Sequence, residues 1–228
     1  MTIASKTYAI ADLHGRYDLL DRALAIVAER GGGTVVLTGD YVDRGPQSRQ
    51  IIERLAAGPP EGQRWICLKG NHEDIMLQTC RDPRKLGWWL PNGGGATLIS
   101  YGQREGDPAD VSVIPQEHLK WLEALPLMHV DQHRVFVHAG VDHTRPLDRQ
   151  DEEKMMWMRF DRDYPFGHGN LHMVHGHEPY ADGPVMHPGR TDLDTFAWFT
   201  GRLVVGVFAD DTTGGPVDLI EVRGTPAP

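Results

Sequence analysis

The chain has 228 residues and only two cysteines, Cys67 and Cys80. That is too few for a disulfide framework or a thiolate metal site, so a reducing, cytoplasmic setting is expected. Long apolar runs are missing as well. None approaches the ~18 residues of a membrane span, and Met1-Thr2-Ile3-Ala4-Ser5-Lys6 lacks the basic-then-apolar order of an export signal. Neither a membrane nor an exported location is expected. Positive charge is also scarce: 23 Lys and Arg against 32 Asp and Glu leave a formal net charge of -9. Nucleic acid is therefore not expected as the main partner, because backbone affinity rests on clustered cations that release counterions. A small phosphorylated ligand stays possible, since bound divalent ions can make one site positive in an acidic protein. Repeats, low-complexity tracts and composition shifts are absent. One α/β domain over residues 1–228 is the simplest account, and no feature specifies an oligomeric state.

What is present is an alternation of short β-type runs with amphipathic segments. Residues 7–11, 34–38 and 65–68 read as strands, while Tyr17, Leu20, Leu24 and Val27, and then Ile51, Ile52 and Leu55, recur at helical spacing. This β-α-β-α-β order predicts a largely parallel sheet with covering helices. Residues 73–125 read as mostly helical, broken by the turn at 91–95 and a polar loop at 102–110. Runs at 134–137, 173–174, 196–199, 203–208 and 217–222 read as further strands. Trp88-Trp89 is expected to fill helix packing.

The strands end alike, with an apolar run stopping at acidic, histidine or amide residues. Asp12-Leu13-His14-Gly15 follows the first, Gly39-Asp40-Tyr41-Val42-Asp43-Arg44-Gly45 the second and Lys69-Gly70-Asn71-His72-Glu73 the third. His138-Ala139-Gly140 and His175-Gly176-His177 follow two later ones. Ligands of open α/β sheets bind outside the carboxyl ends of the strands, so these clusters are expected to converge. Carboxylate, imidazole and amide donors suit a pair of divalent ions about 3.5–4 Å apart that share one oxygen and clamp a phosphoryl group. Each cluster alone has an ordinary reading as a turn or surface polar residue. Five at successive strand ends do not, because so much buried Asp and His is costly without compensation.

At these residues the sequence resembles the phosphoprotein phosphatase family of calcineurin-like metallophosphoesterases, most closely its small lambda-phosphatase-like bacterial and phage members. The five motifs occur in order from Asp12 to His177, with Ala11 standing where the family usually has glycine. The resemblance implies a central β-sandwich flanked by helices and two divalent ions, Mn expected and Fe or Zn as alternatives. It implies Asp12 and His14 on the first ion, Asp40 bridging, and Asn71, His138 and His177 on the second. His72 would be the general acid, oriented by Asp43, with a metal-bridging hydroxide attacking phosphorus. Arg44, Asn71 and Arg159, the last in Trp157-Met158-Arg159, would bind substrate phosphate. The implied activity is phosphate monoester hydrolysis on a phosphorylated protein or small phosphoester, most directly as a serine/threonine protein phosphatase. A diadenosine tetraphosphate hydrolase is the alternative, against which Asp43 is the modest discriminator; a non-catalytic metal-binding scaffold is the third reading. His175 is either a support for a ligand or an ordinary strand histidine.

Overall fold

The computed structural model describes residues 6–227. In chain order the strands are β1 (Lys6–Ile10), β2 (Thr34–Leu37), β3 (Arg64–Cys67), β4 (Met128–Val130), β5 (Arg134–Val137), β6 (His172–His175), β7 (Val185–Met186), β8 (Arg190–Asp192), β9 (Arg202–Ala209) and β10 (Asp218–Arg223). The helices are α1 (Tyr17–Glu29), α2 (Ser48–Ala56), α3 (Asn71–Arg81), α4 (Leu86–Trp89), α5 (Gly94–Ser100), α6 (Gln116–Glu123), α7 (Glu152–Trp157) and α8 (Ala197–Thr200).

Two five-stranded sheets form, ordered β10-β9-β1-β2-β3 and β4-β5-β6-β8-β7. In the first, β1, β2 and β3 pair parallel, joined by α1 and α2, whose buried faces carry Leu20, Leu24 and Val27, and Ile51, Ile52 and Leu55. The sheet is mixed rather than largely parallel, because the hairpin β9-β10 adds antiparallel to β1. In the second, β5, β6 and β8 run parallel.

The sheets face each other across a small apolar layer. Ala9, Val36 and Phe208 from one meet Phe136, Val174 and Leu193 from the other, with Phe136 and Phe208 edge-to-face at 6.0 Å. Period-two alternation explains this: Tyr8 and Ile10 of β1 point instead into the larger core under the helices. Packing the sheets this way brings the carboxyl ends of β1, β2, β3, β5 and β6 to one place.

The helical reading of residues 73–125 agrees with α3 to α6, and the break at 91–95 falls where Gly93 takes φ +104° between Leu90–Asn92 and α5. The strand expected at 196–199 is instead one helical turn, α8, opened by Phe196 in the left-handed region at φ +58°. An apolar run of four residues does not distinguish a strand from a buried helical turn. Strands β4, β7 and β8 were not expected. They are short, and β8 (Arg-Thr-Asp) is polar though fully buried. Trp89 is in the core as expected, but Trp88 is 42% exposed and stacks on Trp157 at 5.9 Å.

Candidate active site

Asp12, His14, Asp40, Asp43, Asn71, His72, His138 and His177 are all buried and gathered at the strand ends; Arg44 is partly exposed beside them and Arg159 exposed. The loops carrying them are strained. Among the described residues seven non-glycine positions have positive φ, and six are Asp12, His14, Asp40, Asp43, Arg44 and His177. Left-handed backbone is costly for residues with a Cβ and persists where surrounding structure enforces it. Here close packing of loop on loop enforces it. A Cβ on Gly176 would collide with the Asp12 carboxylate, and one on Gly93 would lie 2.6 Å from the Arg44 nitrogen.

Two groups of three side chains can hold a metal ion: His14, Asp40 and His72, and Asp40, His138 and His177, with the donor atoms of each group within 4.8 Å of one another. Asp40 belongs to both. The histidines are oriented by their far nitrogens: His14 Nδ1 faces the Val42 carbonyl at 2.9 Å and His138 Nδ1 the Thr38 carbonyl at 3.1 Å. A carbonyl accepts only, so Nδ1 carries the hydrogen and Nε2 presents its lone pair inward. His138 Nε2 then lies 2.7 Å from Asn71 Oδ1, 3.2 Å from His177 Nδ1 and 3.5 Å from Asp40 Oδ1. His138 Nε2, Asn71 Oδ1 and Asp40 Oδ1 are acceptors that converge, and a cation is what such a set satisfies; the residues present fit one. Asp12 stands outside both groups of three. Both of its oxygens accept the His177 backbone N–H at 3.1 Å, and it feels the charge of Asp40.

The electrostatics agree with this. Burial raises Asp12, and the Asp194 and Asp40 carboxylates raise it further. Burial would raise Asp40 too, but His138, His72, His14 and His177 outweigh it and hold Asp40 below the usual carboxylate range. Burial, with neighbouring His138, lowers His177 to about 3, and burial also lowers His14 and His138. Neutral imidazoles around an anionic carboxylate are the protonation states that metal ligation requires.

His72 differs from the ligands in its buttress. Its Nδ1 donates to Asp43 Oδ2 at 2.7 Å, and Asp43 also accepts from Trp89 Nε1 at 3.0 Å and Thr97 Oγ1 at 2.8 Å. Burial opposes the charged imidazole, yet Asp40 and Asp43 outweigh it, and the net shift is upward. Arg44 donates from Nη2 to His72 Nε2 at 3.0 Å and from Nη1 to His14 Nε2 at 2.8 Å, an arrangement of neutral rings. A group whose proton affinity is raised while its neutral form is hydrogen-bonded can exist in either state, as proton transfer demands.

His175 joins neither group of three. Its Nε2 meets Arg190 at 3.0 Å and its Nδ1 the Gly176 carbonyl at 2.9 Å, so it props the turn before His177. Four residues carry weight that the sequence reading did not give them. Glu73, inside a quoted motif, accepts the backbone N–H groups of Asp40, Tyr41 and Gly70 at 2.8–2.9 Å. Trp89 and Thr97 hold Asp43. Asp194 is buried close to Asp40, Arg44 and His72, its carboxyl lifted by burial to about 7. It follows a strand just as the other motifs do, but β8 is too polar for that signal to register.

Buried acceptors converging at the meeting edges of two stacked sheets, beside a carboxylate-held histidine and an arginine, define a metal-dependent phosphoesterase. The chain belongs to the calcineurin-like phosphoesterases, whose family model matches residues 5–211. A curated relative, the symmetrical bis(5'-nucleosyl)-tetraphosphatase of Dechloromonas aromatica, is 31% identical over 136 residues, 59% of this chain and 44% of that protein. The chain thus spans less than half the length of the relative it matches. Two solved structures share the fold. A provisionally named diadenosine tetraphosphatase superposes with TM-score 0.66 at 21% identity, covering 98% of this chain and 96% of that one. A protein serine/threonine phosphatase from Saccharomyces cerevisiae superposes at 0.63 with 16% identity, covering 100% and 82%. Among the described residues no helix is long and apolar enough to cross a membrane.

Proposed function

We propose that the chain hydrolyses dinucleoside tetraphosphates at the central anhydride, releasing two nucleoside diphosphates. The observation that carries this reading is the 31% identity to a symmetrical bis(5'-nucleosyl)-tetraphosphatase. The donor set supports it: Asp12 and His14 would hold one ion, Asn71, His138 and His177 the other, with Asp40 between. Such ions, Mn expected and Fe or Zn as alternatives, neutralise phosphoryl charge and activate water. Arg44, and Arg159 from the rim, would grip the non-bridging oxygens. As the P–O bond to the leaving phosphate breaks, His72 gives its Nε2 proton to the departing oxygen, and Asp43 steadies the ring.

The relative favours the dinucleotide over the phosphoprotein that the resemblance most directly implied. Asp43 was the modest discriminator, and its contacts give it a role that either substrate would call on. It fixes the Nδ1 tautomer of His72 at 2.7 Å, a duty that does not depend on which phosphate ester or anhydride is cleaved. The test is kcat/KM, with Mn supplied, on diadenosine tetraphosphate and a phosphoserine peptide side by side. At least a ten-fold preference for the dinucleotide is expected. Preference for the peptide would overturn the substrate and leave the metal-site assignment standing.

A further inference from the structure

Next to the ligand cluster runs a groove of about 490 Å³, lined among others by Arg16, Asp18, Arg44, Gln47, Trp198 and Thr225. Arg44 belongs to both places. One side of its guanidinium meets His14 and His72, and its central carbon stands 5.7 Å from the centre of the Trp198 ring. A phosphate held by Arg44 therefore has an aromatic ring of the same groove beside it. The ring is half-buried, and its Nε1 is buried without a hydrogen-bond partner among the described residues.

The backbone that presents Trp198 is strained and tied to the site. Phe196, among the described residues the one positive-φ non-glycine residue outside the metal and phosphate loops, stands edge-on to Trp198 at 5.3 Å. Its N–H donates to Asp194 Oδ1 at 2.8 Å, and Arg16 Nη1 donates to the Ala197 carbonyl at 3.2 Å. Beyond α8 the chain returns, with the Ala227 N–H donating to the Phe199 carbonyl at 2.9 Å, so that Thr225 and Pro226 form a wall. A left-handed aromatic held by a buried acid is the kind of strain that persists at ligand sites.

We infer that this groove is the nucleoside subsite, with one base against the Trp198 face and the phosphate chain running past Arg44 toward Asp40. The inference rests on the proposed dinucleotide reading and adds where the nucleoside sits. Aromatic faces stack any base, the volume accommodates one nucleoside, and a polar edge is at hand. The Asp18 carboxylate, 34% exposed and held at 2.8 Å by Arg16 Nε, keeps lone pairs for a ribose hydroxyl or an exocyclic amine.

The experiment compares the wild type, Trp198→Ala, Trp198→Phe and Thr225→Trp on diadenosine tetraphosphate, p-nitrophenyl phosphate and a phosphoserine peptide, with adenosine as an inhibitor. Trp198→Ala is expected to raise the KM for the dinucleotide at least ten-fold more than that for p-nitrophenyl phosphate, and to weaken adenosine inhibition. Trp198→Phe should restore most of the difference. Thr225→Trp, which fills the groove without removing the platform, should raise the dinucleotide KM and decides the matter if Trp198→Ala fails to fold. A KM ratio unmoved in Trp198→Ala and Thr225→Trp, from a wild type that cleaves the dinucleotide, overturns the subsite and leaves the proposed function intact. A wild type that turns over p-nitrophenyl phosphate but not the dinucleotide overturns both. If Trp198→Ala impairs only a phosphoserine peptide, the groove holds peptide and the nucleoside assignment is wrong.

Discussion

At the scale of single residues, His72 carries the most specific chemical expectation. Nδ1 is committed to Asp43, so only Nε2 is available for proton transfer, and it lies 3.9 Å from Asp40 Oδ2. A general acid is worth ~10²–10⁴ where the leaving group needs a proton. An alkoxide needs one far more than a nucleoside diphosphate does. His72→Asn is therefore expected to lower kcat ~10²–10⁴ on an alkyl phosphoester and markedly less on diadenosine tetraphosphate, with bound metal unchanged by elemental analysis. Equal losses on both substrates would remove His72 from proton transfer. Loss of an ion instead would make His72 a ligand, a reading to which its place beside His14 and Asp40 lends geometric weight.

At the scale of elements, one carboxylate joins α3 to the loop after β2. Glu73 is the third residue of α3 and takes the Gly70 N–H, as helix N-termini require, but it also takes the N–H groups of Asp40 and Tyr41. The His72 N–H, at the same helix start, donates to Asp40 Oδ1 at 3.1 Å. The bridging candidate is thus positioned by the helix that carries Asn71 and His72. Glu73→Gln turns one acceptor into a donor facing N–H groups. It is expected to cost roughly 2 kcal/mol in urea unfolding and to weaken Mn binding by calorimetry; unchanged stability and binding would show that the loop holds itself. How much of this was legible in the sequence follows from the same elements. Residues 7–11, 34–38 and 65–68 were readable because β-branched and apolar side chains run up to a polar stop, and the predicted residues come together because strands paired in parallel end on one side. Glu73 was visible as a letter in a motif, but its partners are backbone groups of another segment, which no pattern of side chains encodes. Phe196 was misread because a left-handed aromatic is dictated by the Asp194 and Arg16 contacts around it, and β8 was missed because its buried Arg190 and Thr191 find their partners only in distant segments.

At the scale of the whole molecule, the site is also a clasp. Asp12, His14, Asp40 and Asn71 come from the first sheet's strand ends, and His138 and His177 from the second's. Ions held there would bind the two sheets together, and anything that binds only the folded chain stabilises it. The pH dependence of that effect separates carboxylates from histidines. Burial lifts Glu73 to about 7, assisted by Asp40, and lifts Asp194 to about 7. Both folded values exceed the unfolded ones, so their contribution is present below about pH 4 and is lost as pH rises toward 7. Buried His172, lowered to about 4, and His175, to about 3, have the opposite sign: their contribution is full above about pH 6.5 and lost as pH falls. In the metal-free chain the two slopes oppose each other between pH 5 and 7. Adding ions breaks the balance, because a cation relieves carboxylate repulsion, whereas His177, at about 3, is already neutral at pH 5.5 and releases no proton on binding. The rise in Tm on adding Mn is therefore expected to be larger at pH 7.5 than at pH 5.5, and to vanish with chelator. A shift equal at both pH values would mean that the carboxylates around Asp40 are already ionised in the metal-free chain. No shift at either would mean that the converging acceptors are not a cation site.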